Sequence, residues 1–134
     1  VGGADVCLQM AKGYAMERYA FGRPIASFQA IKHKLADMYV GNELARSNAY
    51  YGAWALSTGA RELPLAAAAA RISATQAFDF AAKENTQTHG GVGFTWEFDC
   101  HFYYKRSREL GLALGPQRVW KDKLVSQLEL SNAA

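Results

Sequence analysis

The run from Phe28 to Leu56 constrains the fold more than any other part of this chain. Phe28, Ile31, Leu35, Met38, Asn42, Ala45, Ala49, Gly52 and Leu56 recur three and four residues apart. That is the period of one helix face, whereas a half-buried strand needs period two. The seam is narrow, and Ala45, Ala49 and Gly52 give it almost no side-chain bulk, so a second helix can approach closely. A helix with such a seam is stable only when the seam is covered. The chain therefore has to build helix against helix.

The punctuation on either side fits that requirement. Val6, Met10 and Tyr14 recur at i, i+4 and i+8, which predicts a first helix from Ala4 to about Arg18. Gly22 and Pro24 then break the Tyr19–Ser27 stretch. Thr58-Gly59 supplies a stop, and Pro64 sits where a first helical turn tolerates it. A third helix is predicted from Leu65 to about Gln87, opening on the alanines at 66–70 and ending at Gly90, Gly91 and Gly93. Asp99 is expected to cap a short aromatic helix over Cys100–Glu109. A last helix is expected from Pro116, with Trp120, Leu124 and Leu128 on one face. No useful β-alternation and no internal repeat appear. The expectation is one all-α domain over residues 1–134, an antiparallel four-helix bundle with a short extra C-terminal helix.

Composition excludes several function classes. With 15 Lys and Arg against 12 Asp and Glu, the net charge is +3, too small and scattered to argue for nucleic acid or an anionic membrane. The apolar run around Leu63–Ala70 is too short to span a bilayer. Cys7 and Cys100 stand far apart without a CxxC, so neither a disulfide framework nor a zinc site is indicated. His33, His89 and His101 belong to no HExxH or ExxH pattern, which leaves no metal site. The absence of a signal pattern leads to the expectation of a cytoplasmic protein, or of an organelle matrix in a eukaryote.

Two segments carry chemistry. The first, E-R-Y-A-F-G-R-P-I-A-S-F-Q-A-I, places Arg18 and Arg23 around Phe21, with Gln29 and Lys32 a few residues on. A guanidinium can grip a phosphate bidentately and an aromatic face can stack on a base. Read alone, the plainer reading of the segment is a solvated helix end, with Arg18 a charge at a helix C-terminus. The second, Q-T-H-G-G-V-G-F-T-W over Gln87–Trp96, has adjacent glycines that let a ligand approach the backbone. No GK[ST] follows and no GxGxxG spacing is present, so it is neither a Walker loop nor a Rossmann turn. His89 can serve a ligand, a cap or the core, and Glu97 and His101 can pair as i, i+4 neighbours.

Y-A-M-E-R-Y-A-F-G-R-P-I-A-S-F-Q-A-I-K-H-K-L-A-D-M, then A-R, then Q-T-H-G-G-V-G-F, taken in this order, resembles the C-terminal helical domain of the acyl-CoA dehydrogenase family, from Val1 to about Arg108. The resemblance implies a four-helix bundle working with an N-terminal helical domain and a β-domain in an FAD enzyme. That enzyme oxidises an acyl-CoA thioester across its α and β carbons and assembles as dimers, usually paired into tetramers. Carried over by motif, Arg18 is expected to reach the FAD pyrophosphate of a neighbouring subunit. Tyr19, Ala20 and Phe21 are expected to line its ADP portion. Gln29 matches the glutamine of an HQAI-type motif in which Phe28 replaces the usual histidine. Gln87, Gly90 and Gly91 match the turn that contacts the partner's cofactor.

The resemblance also implies two departures. Val1 is expected to fall inside the first helix of the domain, and the chain to be a fragment that is inactive alone. The catalytic glutamate many members carry after the glycine turn aligns with Leu114, followed by Gly115 and Pro116. Leucine cannot accept a proton, so the catalytic base is left unassigned. Two other readings stay open: a non-catalytic subunit of a heteromeric dehydrogenase, and a DNA-associated relative using Lys105, Arg106, Arg108, Arg118, Lys121 and Lys123. An uncovered bundle is further expected to expose Phe78, Phe80, Trp96, Phe98 and Phe102 and to self-associate.

Overall fold

The computed structural model describes residues 1–132. The chain builds α1 (Gly2–Glu17), a minimal hairpin of β1 (Tyr19–Ala20) and β2 (Arg23–Pro24), and α2 (Gln29–Thr58). It continues through α3 (Leu63–His89), α4 (Cys100–Ala113) and α5 (Gln117–Asn132). Short 3-10 turns over Ile25–Ser27 and Gly90–Phe94 precede α2 and follow α3. The helical expectation holds, and α3 is the central member, packed against each of the other four helices.

The α2 seam meets α3 as its spacing requires. Met38, Asn42, Ala45 and Gly52 are buried. A Cβ added at Gly52 would stand 3.3 Å from the Ala70 Cβ and 3.5 Å from the Ala66 carbonyl. The alanines at 66–70 are therefore what lets the two backbones come so close. Leu56 departs from the expected seam: it is solvent-exposed, and Ala55 is buried instead. The chain reverses there through the 59–62 turn, whose Ala60 N–H donates to the Ala55 carbonyl at 2.9 Å. Gly59 closes α2 in the left-handed region at φ 62°, and Pro64 falls in the first turn of α3.

The main core lies where α1, α2 and α3 meet. Ala4, Cys7, Leu8 and Ala11 of α1 pack with Met38 of α2 and with Phe78, Ala81 and Ala82 of α3. Phe78 is therefore core, contrary to the exposed position expected for it. Its ring fills the space beside Gly3, where a Cβ would come within 2.5 Å of Cζ. Phe80, Trp96 and Phe102 are exposed as expected, and Phe98 is half-buried. Both cysteines are fully buried. Burial pushes the Cys7 thiol up to about 12 and raises Cys100 as well, so neither is a nucleophile at neutral pH.

Three further details differ from the sequence reading. Asp99 does precede α4, yet its side chain makes no capping hydrogen bond. At φ −75° and ψ 6° it lacks the extended conformation that aims an N-cap oxygen at the next N–H groups. The extra C-terminal helix is not short, since α5 has 16 residues against 14 for α4. Trp120 and Leu124 of α5 are half-buried, but Leu128 is exposed. Finally, the break after α1 is a hairpin, with Ala20 opposite Arg23 and Tyr19 opposite Pro24. Its tip, Phe21-Gly22, has φ 53° and 77°. Positive φ at both central residues is the type I′ condition.

Candidate functional site

Arg18 ends α1 as its C-cap, and its backbone is fixed on both sides. Its N–H donates to the Tyr14 carbonyl at 2.8 Å, and its own carbonyl accepts from the Ile25 N–H at 2.8 Å. The side chain is left free at the helix end and solvent-exposed. Tyr19 and Ala20 form the strand that follows, and Phe21 stands at the hairpin tip with 96% of its surface exposed. A large aromatic held outward in a left-handed conformation is a costly arrangement that the fold itself does not need. The Phe21 ring lies edge-on to Phe28 at 6.3 Å, and the Arg23 guanidinium covers the Phe28 ring at 4.1 Å. Arg23 thus shields an apolar ring, whereas Arg18 makes no ion pair with any carboxylate among the described residues.

The glycine turn arrives at the same end of the molecule. Gly90 leaves α3 at φ 64°, ψ −137°, and both Gly90 and Gly91 are exposed. A Cβ at Gly91 would meet nothing within 4 Å, so the backbone there is bare to an approaching ligand. Gly93 has the opposite role. A Cβ at that position would stand 2.6 Å from the Thr86 carbonyl and 3.0 Å from the His89 Cβ, so the missing side chain lets the turn fold back on α3.

Arg18 and this segment share one cleft of about 540 Å³. Gln9, Tyr14, Glu17 and Arg18 of α1 form one side, and His89, Val92 and Phe98 form another. The structure thus joins Arg18 to the motif that holds Gly90 and Gly91. Gln87 is exposed on the last turns of α3 but lines a separate cleft of about 260 Å³ with Gly93, Phe94, His101 and Tyr104. Gln29 is the exposed first residue of α2 and lines neither cleft.

His89 is buried, with its ring stacked on Tyr14 at 4.3 Å and met by Phe98 at 5.1 Å. The motif put His89 beside the glycines, but only the packing of α1 on α3 pairs it with Tyr14. Glu97 and His101 do not pair as expected, because Glu97 precedes α4 and is not helical. The His101 Nδ1 lies 3.1 Å from the Phe98 carbonyl, and its ring packs on Trp96 and Phe102.

Five of the six basic residues near the C-terminus lie beside an acid or an aromatic ring, and all six are exposed. Arg106 bonds Glu109 at 2.7 Å, Arg108 lies 3.3 Å from Asp79, and Arg118 lies 3.9 Å from Asp122. Lys105 and Lys123 rest over Trp96 and Trp120. Leu114 is the exposed C-cap of α4, and its carbonyl accepts the Trp120 Nε1–H at 2.8 Å. Among the described residues no helix is long and apolar enough to cross a membrane.

The fold defines an all-helical bundle domain with Arg18 and the glycine turn at one end. Residues 1–128 match the family model for the acyl-CoA dehydrogenase C-terminal domain, and the chain belongs to that family. It is 45% identical over 128 residues to the acyl-CoA dehydrogenase IpdE2 of Mycobacterium tuberculosis, covering 96% of this chain and 38% of that relative. Butyryl-CoA dehydrogenase of Megasphaera elsdenii superposes with a TM-score of 0.89 at 28% identity, over 95% of this chain and 33% of that one. The ChsE4-ChsE5 complex of Mycobacterium tuberculosis gives 0.89 at 30% identity, over 96% and 35%. The chain thus spans about a third of the length of each of these three proteins.

Proposed function

We propose that the chain, through Ala134, is the C-terminal domain of an FAD-dependent dehydrogenase that desaturates an acyl-CoA thioester. In this reading it supplies contacts to the ADP half of FAD and a surface for a same-family subunit, and it is inactive alone. The convergence of Arg18 and the Gly90-Gly91 turn at one end of the bundle carries the reading. The residues present suit a dinucleotide: an unpaired guanidinium for the diphosphate, an exposed Phe21 ring for adenosine, and backbone at Gly91 with open space before it. Tyr19 and Ala20 hold Phe21 outward, while Gln87 and Gln29 are exposed amides carried over to the same cofactor by motif alone. When bound, the flavin supplies the hydride-accepting chemistry, and these residues bind and orient it.

Removing the Arg18 charge tests the reading. In the intact enzyme, Arg18→Ala is expected to loosen FAD by about 1.5–3 kcal/mol, the range for a charge-assisted hydrogen bond. Unchanged flavin retention through dialysis would make Arg18 only a helix-end charge.

Two observations favour a second reading, in which this subunit works beside a different one that supplies the base. The position aligned with the family's glutamate is the exposed Leu114, and one of the matched structures is a complex of two components, ChsE4-ChsE5. Co-purification of the intact protein with a second dehydrogenase chain, and turnover only with that chain, would distinguish this from a homo-oligomer.

A further inference from the structure

The cleft beside Arg18 has acceptor chemistry that a diphosphate alone does not use. His89 is 4% exposed, and its Nδ1 lies 2.9 Å from the Asn85 carbonyl oxygen. A carbonyl only accepts, so Nδ1 carries the hydrogen, and in the neutral form of that tautomer Nε2 is an acceptor. Nε2 makes no hydrogen bond within the described residues, and His89 lines the cleft beside Arg18. The stack on Tyr14 and the edge of Phe98 fix the ring's direction. Glu17 brings a carboxylate to the same cleft.

The lining mixes donors, Arg18 and the Gln9 amide, with groups that only accept, the Glu17 carboxylate and the neutral form of His89 at Nε2. A bare phosphate uses only the donors, whereas a sugar phosphate meets both kinds, with its anion at Arg18 and its hydroxyls toward Glu17 and His89. We propose that His89 Nε2 accepts a hydrogen bond from a ribose hydroxyl of an adenosine diphosphate group whose phosphate is held by Arg18. The inference rests on the functional reading above, and both FAD and CoA carry such a group.

The test uses the intact protein with His89→Phe, which keeps a ring against Tyr14, and His89→Gln, which restores an acceptor. Dissociation constants are measured for FAD with apoprotein and for CoA with holoprotein, each also with the analogue deoxygenated at the adenosine ribose. One of the two ligands is expected to bind His89→Phe about three- to tenfold more weakly, the range for one hydrogen bond. His89→Gln should recover most of that loss. The deoxy analogue should cost the wild type the same factor and cost His89→Phe nothing further. A loss confined to FAD identifies the flavin dinucleotide as the ligand, and a loss confined to CoA identifies the thioester carrier. Unchanged binding of both, or an equal deoxy penalty in wild type and variant, overturns the proposal. If Arg18→Ala loosens FAD while His89→Phe is silent, only the His89 assignment falls. If both are silent, the FAD reading falls with it.

Discussion

The imidazole of His89 lies on the ring of Tyr14 with centroids 4.3 Å apart and planes 25° from parallel. This contact joins the last turns of α1 to the last turn of α3 directly beneath Arg18. Aromatic pairs contribute about 0.5–1.5 kcal/mol beyond their buried area. Tyr14→Leu is therefore expected to lower stability by about 1–2 kcal/mol, read as a shift in urea midpoint with unchanged slope. An unchanged midpoint would mean that the stack contributes nothing to joining the two helices.

The hairpin tip offers a separation of stability from binding. Phe21 holds φ 53° at the first central position of the turn, where Asn is far better tolerated. Phe21→Asn should leave the fold intact and stabilise it by up to about 1 kcal/mol. The same variant should bind FAD more weakly, because the exposed ring is gone. If FAD retention is equal to wild type, Phe21 is not a contact residue.

Gly91 and Gly93, two residues apart, should respond in opposite ways to alanine. A methyl at Gly93 would collide with the Thr86 carbonyl at 2.6 Å, so Gly93→Ala should cost about 1–3 kcal/mol, as over-packing does. At Gly91 the methyl meets open space and the residue holds no positive φ. Gly91→Ala should therefore melt as wild type does, yet loosen FAD in the intact enzyme. Equal melting temperatures for both variants would contradict the packing described for Gly93.

Glu109 is the acid nearest in sequence to the position where many family members keep their base. It sits on α4 bonded to Arg106 at 2.7 Å, five residues before the exposed Leu114. Held there, it is more than a helical turn from that position. Glu109→Gln should leave turnover of the intact enzyme within a few-fold, since loss of a true general base costs roughly 10²–10⁴. A loss of that size with flavin and fold intact would make Glu109 the base.

What the sequence by itself determined was local. The three-four spacing from Phe28, the small residues along it, and the stops at Gly59 and Gly90 all encode helix and its interruption through neighbours a turn apart. The order of the arginine and glycine motifs was likewise enough to place the chain in its family. The tertiary structure decided what depends on residues far apart in the chain. It sent Phe78 into the core because Gly3 leaves room for its ring, and it turned Leu56 outward where the chain reverses. It set His89 against Tyr14 and opened Gln87 onto a different cleft from Arg18. No periodicity records these outcomes, because each depends on which faces of two distant helices meet, and that is fixed only when the whole bundle packs.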